Sequence, residues 1–240
     1  MRIRHTAFTP PGDPAGTGVR PPLHTIWQAL VTNEGRNRLI TADLLDCVRA
    51  GRSPLVLADR TACLDLLERS LVSFAPEVAC YRLDGRMGAK ARRGVLEAIT
   101  RHYEAEESFV LFATASLAGE GLDIPRLDTL FLAMPLSFRG RLVQYAGRLH
   151  RDHEVKAGVL IHDYLDAGHP LTEAMFRRRV SAYAKMGYEI EDDADPPSQA
   201  DALPLTEMKS ALLHVHATKS EEVDREQPLG LHSLSGTSKP

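Results

Sequence analysis

The stretch FVLFATASLAGEGLDIP, residues 109–125, indicates the fold class. Its apolar run, residues 109–113, is followed at once by small residues and glycines, as expected for a buried parallel strand that ends in a binding turn. Ligands collect beyond the carboxyl ends of such strands, where glycine lets them approach the backbone and a carboxylate such as Asp123 can accept hydrogen bonds from a ribose hydroxyl. The alternative is a glycine-rich turn in which Asp123 has only a capping role.

On both sides of this stretch, short apolar runs alternate with helical patterns. Strands are predicted at residues 54–58, 78–83, 129–133 and 158–163, and helices from Leu23 and Thr61 and at 37–49, 89–103, 141–149 and 171–186. This alternation predicts a three-layer α/β domain with a mostly parallel sheet. We expect residues 1–36 to be a flexible linker and helical lead-in, residues 37–190 to be the domain, and residues 191–240 to be an acidic, largely disordered tail.

Composition and charge restrict the function only loosely. The 240 residues are 43% hydrophobic and 25% charged, as in ordinary globular proteins. No apolar run reaches the length of a membrane span and no signal-peptide core follows Met1, so we expect a cytoplasmic protein with no membrane partner. The scattered Cys47, Cys63 and Cys80 have no CxxC spacing, which predicts reduced thiols and no metal site.

The net charge of −3 is unevenly distributed along the chain. Residues 189–226 carry 11 acidic and 3 basic side chains, so the rest of the chain is mildly basic. That balance permits a polyanionic partner without requiring one. Residues 177–179, three consecutive arginines, are interpreted as the solvated face of the last helix.

A second segment, QYAGRLHR at residues 144–151, carries two arginines at helical spacing. Arg148 and Arg151 are three residues apart and would share one face of a helix. Two guanidinium groups on one face, with Gly147 allowing close approach, suit a cluster of phosphate oxygens. The alternative is a solvated arginine face.

Together the two segments resemble motifs V and VI of superfamily 2 helicases, of the DEAD/DEAH-like and restriction-type groups. The resemblance extends over roughly residues 37–188, where LVLADR at 55–60 is similar to motif IV and LDGR at 83–86 to the turn that follows it. It implies a C-terminal RecA-like lobe with a fold of the P-loop NTPase type, and an ATP-dependent helicase or translocase function.

The resemblance also implies roles for individual residues on the nucleotide side. Arg148 and Arg151 would be arginine fingers that reach ATP bound on the other lobe. Gln144 would help to position the phosphates. Asp123 would contact the ribose, and Gly121 would leave space beside it.

On the nucleic-acid side, the resemblance implies that Thr114 contacts the backbone, with Arg60 and Gly85 on the same surface. Hydroxyls, amides and basic side chains bind phosphates without reading sequence. Asp84 departs from the family pattern, in which many members have histidine before this glycine. By analogy with restriction-type helicases, we favour DNA over RNA as the partner.

The elements that hold ATP's phosphates and magnesium are not found in the sequence. It contains no GxxxxGK[ST] loop and no apolar strand ending in an Asp-Glu pair, and residues 12–18 are glycine-rich but lead into Val19-Arg20. Phosphoryl transfer requires both elements. We therefore expect a truncated or split protein whose ATP and Mg²⁺ are held by a Walker A/B-bearing lobe on another chain, and which does not hydrolyse ATP alone. The alternatives are a non-catalytic module that binds nucleic acid or a helicase, and an unrelated flavodoxin-like or Rossmann domain.

Overall fold

The computed structural model describes residues 1–12, 21–105, 107–119, 124–136, 139–150 and 158–193. These residues form seven strands and seven helices. In chain order they are β1 (Arg2–His5), α1 (Leu23–Thr32), α2 (Glu34–Arg49), β2 (Pro54–Ala58), α3 (Thr61–Phe74), β3 (Ala79–Leu83), α4 (Ala89–Glu104), β4 (Phe109–Thr114), α5 (Ala115–Gly119), β5 (Thr129–Leu132), α6 (Arg139–Leu149), β6 (Leu160–Leu165), α7 (Pro170–Lys185) and β7 (Glu191–Asp193).

The strands form one sheet in the order β3-β4-β2-β5-β6-β1-β7, and every neighbouring pair is parallel. The central strands β2, β4 and β5 are buried along their whole length. Helices cover both faces of such a sheet, which is why these strands are continuous apolar runs in the sequence.

Alternate residues of β2 divide the core into two parts. Leu55 and Leu57 belong to the core under α4, α5, α6 and α7, whereas Val56 and Ala58 belong to the core under α1, α2 and α3. The predicted three-layer α/β architecture with a mostly parallel sheet is therefore confirmed. The helix α2 begins at Glu34, three residues before the predicted start, because the Asn33 side chain accepts a hydrogen bond from the Arg36 backbone N–H at 2.8 Å and caps the helix.

Two short strands at the end of the sheet were not predicted. The expectation of an irregular chain start is wrong for residues 2–5, because they form β1, which lies between β6 and β7. The expected loss of order at Glu191 is wrong for residues 191–193, because they form β7. Ion pairs join the two strands, with Arg2 Nε 3.0 Å from Glu191 Oε2. The expected linker at residues 13–20 and the tail from residue 194 lie outside the described residues.

Two arginines are buried beside β6 and bind one aspartate within this strand and one directly after it. Arg36 donates to Asp166 Oδ1 from Nε at 2.9 Å, and Arg179 donates to both oxygens of Asp163 at 2.7 and 2.8 Å. Tyr183 adds a hydrogen bond to Asp163 at 2.8 Å. The interpretation of residues 177–179 as a solvated face is therefore wrong for Arg179, which is 4% exposed.

Candidate functional site at the carboxyl edge of the sheet

Three neighbouring strands, β3, β4 and β2, end at the same level. Ala58, the last residue of β2, is opposite Thr114, the last residue of β4, and Leu83, the last residue of β3, is opposite Ala113. Because all three strands are parallel, the residues that follow them emerge at one edge of the sheet. We call the ends of these three strands, with the residues that directly follow them, the carboxyl edge.

The three residues predicted to contact nucleic acid all lie at the carboxyl edge. Arg60 precedes α3 and is exposed, and Gly85 is exposed in the turn after β3. Thr114 is only 8% exposed, and its Oγ1 accepts a hydrogen bond from the Ser116 hydroxyl at 3.5 Å. The structure thus brings the three together, with Thr114 presenting the least surface.

The helix α6 carries the second predicted motif and is tied to the end of β4. Its buried face includes Tyr145, whose hydroxyl donates a hydrogen bond to the carbonyl of Ala115, the first residue of α5. The opposite face exposes Gln144 and Gly147, while Arg148 is half-buried. One buried hydrogen bond therefore connects the helix of the arginine motif to the strand end that carries Thr114.

Glycine at position 147 is not required by packing within the described chain. A Cβ added there would meet no heavy atom within 4 Å, and the residue lies inside a helix, where glycine costs about 1 kcal/mol relative to alanine. The open space beside Gly147 fits the predicted approach of an external group. The remaining predicted nucleotide contacts, Gly121, Asp123 and Arg151, lie outside the described residues.

A network of charged side chains that was not predicted lies beside the turn after β3. Asp84 is 3% exposed and receives Arg86 Nη2 at 2.7 Å, while Arg82 Nε lies 3.3 Å from the same carboxylate oxygen. Arg82 also contacts Asp65 at 2.7 Å and Glu68 at 3.0 Å on α3. The hydrogen bonds from Arg86 lower the pKa of Asp84, which keeps this carboxylate charged.

This network explains how a buried aspartate is accommodated at position 84, since a buried carboxylate needs cationic partners and both Arg82 and Arg86 contact it. The available signal was the alternation of Arg82, Asp84 and Arg86 across a strand end. Glu68, farther from Asp84 along the network, has its pKa raised by burial, with Arg82 opposing the shift.

Neither a metal site nor a membrane-spanning helix is found among the described residues. No group of three or more His, Cys, Asp or Glu side chains among them is arranged to hold a metal ion. Among the helices described, none is both long and apolar enough to cross a membrane.

Comparison with known proteins identifies the domain. Residues 37–153 match the family described as "Helicase conserved C-terminal domain". "Uncharacterized protein 108L" of Invertebrate iridescent virus 3 is 33% identical over 84 residues, which are 35% of this chain and 76% of the viral protein.

Solved structures share the fold at low sequence identity. "Mss116p DEAD-box helicase domain 2 bound to an RNA duplex" aligns with a TM-score of 0.55 and 11% identity, covering 94% of this chain and 77% of that one. T4 UvsW aligns with a TM-score of 0.53 and 16% identity over 72% of this chain and 37% of that one. The C-terminal part of the Fun30 ATPase domain aligns with a TM-score of 0.50 and 15% identity over 82% of this chain, which spans 59% of that structure's length. The chain therefore belongs to the helicase conserved C-terminal domain family, and it has the RecA-like fold of the helicase domains with which it aligns.

Proposed function

We propose that the carboxyl edge contacts the backbone of a nucleic acid and that α6 faces ATP held by a first RecA-like lobe. The observation that carries the proposal is the shared level of the ends of β3, β4 and β2, together with the hydrogen bond from Tyr145 to Ala115 that fixes α6 to the same region. One rigid arrangement would then connect nucleic-acid contacts to nucleotide contacts.

The proposed nucleic-acid contacts are of the backbone type. An exposed arginine, a hydroxyl and an open glycine turn can bind phosphate oxygens without reading base edges. Arg60 supplies the charge, and Gly85 leaves space, since a Cβ there would meet nothing within 4 Å. We favour DNA over RNA; the structural neighbour Mss116p has its domain 2 bound to an RNA duplex, so both must be tested.

Fluorescence anisotropy with single-stranded DNA and RNA of the same sequence tests this surface. The wild-type affinity should fall linearly with salt on logarithmic axes, and Arg60→Ala should lower the slope by about 0.7, the contribution of one phosphate contact on a single strand. The matched control is Arg49→Ala, because Arg49 is an exposed arginine at the end of α2, before β2 begins, at the opposite edge of the sheet. The surface is wrongly assigned if both substitutions have the same effect or if no salt-dependent binding occurs.

On the nucleotide side, the described residues suit contact with ATP that is bound to another lobe. Arg148 and the exposed Gln144 lie on a helix whose outer face is open beside Gly147, so a phosphate held by another lobe could reach them. Bound ATP would supply the phosphoryl group, with Mg²⁺ held by the first lobe. Arg148 and Arg151 would stabilise the charge that develops on the phosphate, an effect of about 10³ to 10⁵ in rate for arginine fingers.

Mixing experiments test the finger assignment. The chain is combined with first-lobe proteins that carry a GxxxxGK[ST] loop and a DExx strand, and ATP hydrolysis is measured with and without nucleic acid. Hydrolysis stimulated by nucleic acid should fall by about 10³-fold with Arg148→Ala. It should be unaffected by the control Arg178→Ala, an exposed arginine on α7. Retention of full activity by both Arg148→Ala and Arg151→Ala would show that neither is a finger.

A second candidate is a non-catalytic module that binds nucleic acid or a helicase. The exposed Arg60 and Gly85 at the carboxyl edge would serve such a module equally well. The same two experiments separate the candidates. A binding module would keep salt-dependent affinity that depends on Arg60, yet support no ATP hydrolysis with any first lobe.

A further inference from the structure

The chain turns back sharply after α7, and this turn places Tyr188. Gly187 has a φ of +78°, a left-handed conformation that glycine adopts without strain. Its backbone N–H donates to the Ala184 carbonyl at 3.2 Å. The backbone N–H of Tyr188 donates to the Tyr183 carbonyl, also at 3.2 Å. These two hydrogen bonds form a Schellman motif, which ends the helix and fixes the direction in which Tyr188 leaves it.

The Tyr188 ring is packed against a fixed neighbour. It meets the ring of the fully buried Tyr183 edge to face, with the ring centroids 6.2 Å apart. The Tyr183 hydroxyl in turn donates to the buried Asp163 at 2.8 Å. Burial raises the pKa of Tyr188 to about 12, so the phenol keeps its proton near neutral pH. The Tyr188 hydroxyl is thus an uncharged hydrogen-bonding group in a well-defined place.

This hydroxyl reaches the end of α6. It lies 2.7 Å from Nε2 of His150, the residue that directly follows α6. The backbone N–H of His150 donates to the Ala146 carbonyl at 3.1 Å, so His150 continues the last turn of the helix. Arg148 lies in the same turn, and Arg151, which is outside the described residues, follows His150 in the sequence. The contact therefore acts on the part of α6 that carries the arginine motif.

The packing of α6 on the core does not depend on this contact. The buried Leu142, Tyr145 and Leu149 already attach the helix to the core, whereas His150 is exposed. The last turn of a helix has carbonyl groups without partners in the helix, and it frays easily. A hydrogen bond to the side chain of His150 restrains this turn, although it buries no further apolar surface.

We propose that Tyr188 is a positioning residue for the arginine motif: through His150 it holds the last turn of α6 in the orientation from which Arg148 and Arg151 reach a phosphate. This inference rests on the proposed contact between α6 and ATP. It gives a role to a residue beyond positions 37–153, which match the helicase domain family. Tyr188 itself touches neither ATP nor the reacting atoms.

Hydrogen exchange in the chain alone tests whether Tyr188 restrains α6. With Tyr188→Phe, the backbone amides of residues 147–150 should exchange about fivefold faster, because one hydrogen bond that holds this turn is lost. The matched control is Tyr81→Phe, because the half-buried Tyr81 hydroxyl contacts Ala98 on α4, away from α6. Exchange at residues 147–150 that is the same in wild type and Tyr188→Phe would overturn the inference.

ATP hydrolysis supported by a first lobe tests the consequence for the arginine motif. Tyr188→Phe should lower kcat at least about fivefold and leave KM for ATP unchanged, because arginine fingers act on the transition state. His150→Ala should cause the same loss, and Tyr188→Phe should cost nothing further in the His150→Ala background. His150→Gln keeps a hydrogen-bonding group and should recover part of the activity. Losses that add in the double variant would show that Tyr188 does not act through His150.

The outcomes distinguish this inference from the function on which it rests. If hydrolysis requires Arg148 but Tyr188→Phe keeps full kcat, the positioning role is wrong and the finger assignment stands. If no first lobe supports hydrolysis, or if Arg148→Ala and Arg151→Ala both keep full activity, the proposed function is wrong and the positioning role with it. If Tyr188→Phe lowers the Tm and speeds exchange throughout the domain, the residue has a general structural role and the inference is overturned.

Discussion

The region around β6 and the carboxyl edge of β3, β4 and β2 use arginine in different ways. Beside β6, Arg36 and Arg179 are buried and each is bound to a buried aspartate. At the carboxyl edge, Arg60 is exposed and Arg86 is 63% exposed. The first arrangement stabilises the sheet internally, whereas the second leaves positive charge available to a ligand. Substitutions in the two regions should therefore separate effects on stability from effects on binding.

The largest expected effect on stability is that of Arg179→Ala. It removes the partner of Asp163, which is fully buried, and leaves an uncompensated charge at a cost of about 3–5 kcal/mol. Urea denaturation measures the change in the free energy of unfolding. The neighbouring Arg177→Ala is the control, because Arg177 is 77% exposed and its pair with Glu173 should contribute no more than about 1 kcal/mol. Equal stability of the two variants would contradict a structural role for the β6 arginines.

The next effect is that of Tyr145→Phe, which removes the hydroxyl that joins α6 to the end of β4. The Ala115 carbonyl would lose a buried hydrogen bond, and we expect a loss of about 1–3 kcal/mol. Tyr81→Phe is the control, since the Tyr81 hydroxyl makes a hydrogen bond of 3.4 Å to Ala98 in a half-buried position, where water can replace it. If Tyr81→Phe destabilises the protein as much as Tyr145→Phe, the hydrogen bond from Tyr145 to Ala115 contributes no more to stability than a half-buried one.

A pH-dependent effect is expected at His162, which is stacked on Phe131 and 2% exposed. Burial lowers its pKa below 6.5, and the nearby Asp43 opposes this shift. The unfolded chain therefore binds a proton below pH 6.5 while the folded protein does not, so stability falls as the pH drops from 6.5 towards the folded pKa, by up to about 1.4 kcal/mol per pH unit.

Urea titrations of wild type and His162→Gln between about pH 5 and 8 measure this effect, since histidine titrates in that range. The stability difference between the two proteins should change below pH 6.5 and be constant above it. A difference that is constant over the whole range would show that His162 has the same pKa in both states.

The smallest effect on stability, with the opposite sign, is expected for Gly147→Ala. Alanine in a helix should stabilise the fold by about 0.5–1 kcal/mol, because no described atom is in its way. The same substitution should impair ATP hydrolysis supported by a first lobe. Gly94→Ala is the control, because Gly94 lies within α4 with equally open space and away from the arginine motif. Full ATPase support by Gly147→Ala would mean that no ligand approaches this position.

Much of the fold could be predicted because the central strands are both buried and apolar. The runs at β2, β4 and β5 have a single physical explanation, a parallel sheet covered on both faces. The strands β1 and β7 could not be predicted, because they are short and charged. They are held by ion pairs such as Arg4 with Asp43, 39 residues away, which become visible only when the chain is folded.

The candidate site was predicted in part, and for a similar reason. Arg60 and Gly85 follow strand ends and Thr114 is the last residue of a strand, in a recognisable motif order, so their common surface was foreseen. The roles of Arg86 and Arg179 depend on which side chain lies opposite, and sequence spacing does not contain that information. Among consecutive arginines of α7, only the structure distinguishes the exposed Arg177 from the buried Arg179.

Hydrogen–deuterium exchange with and without a saturating single-stranded oligonucleotide shows which surface of the domain binds nucleic acid. We expect slower exchange in the segments at the carboxyl edge, residues 59–63, 84–88 and 114–119, and unchanged exchange in β6, β1 and β7. Protection centred on β6, β1 and β7, or unchanged exchange at the carboxyl edge when the oligonucleotide is bound, would show that the carboxyl edge is not the binding surface.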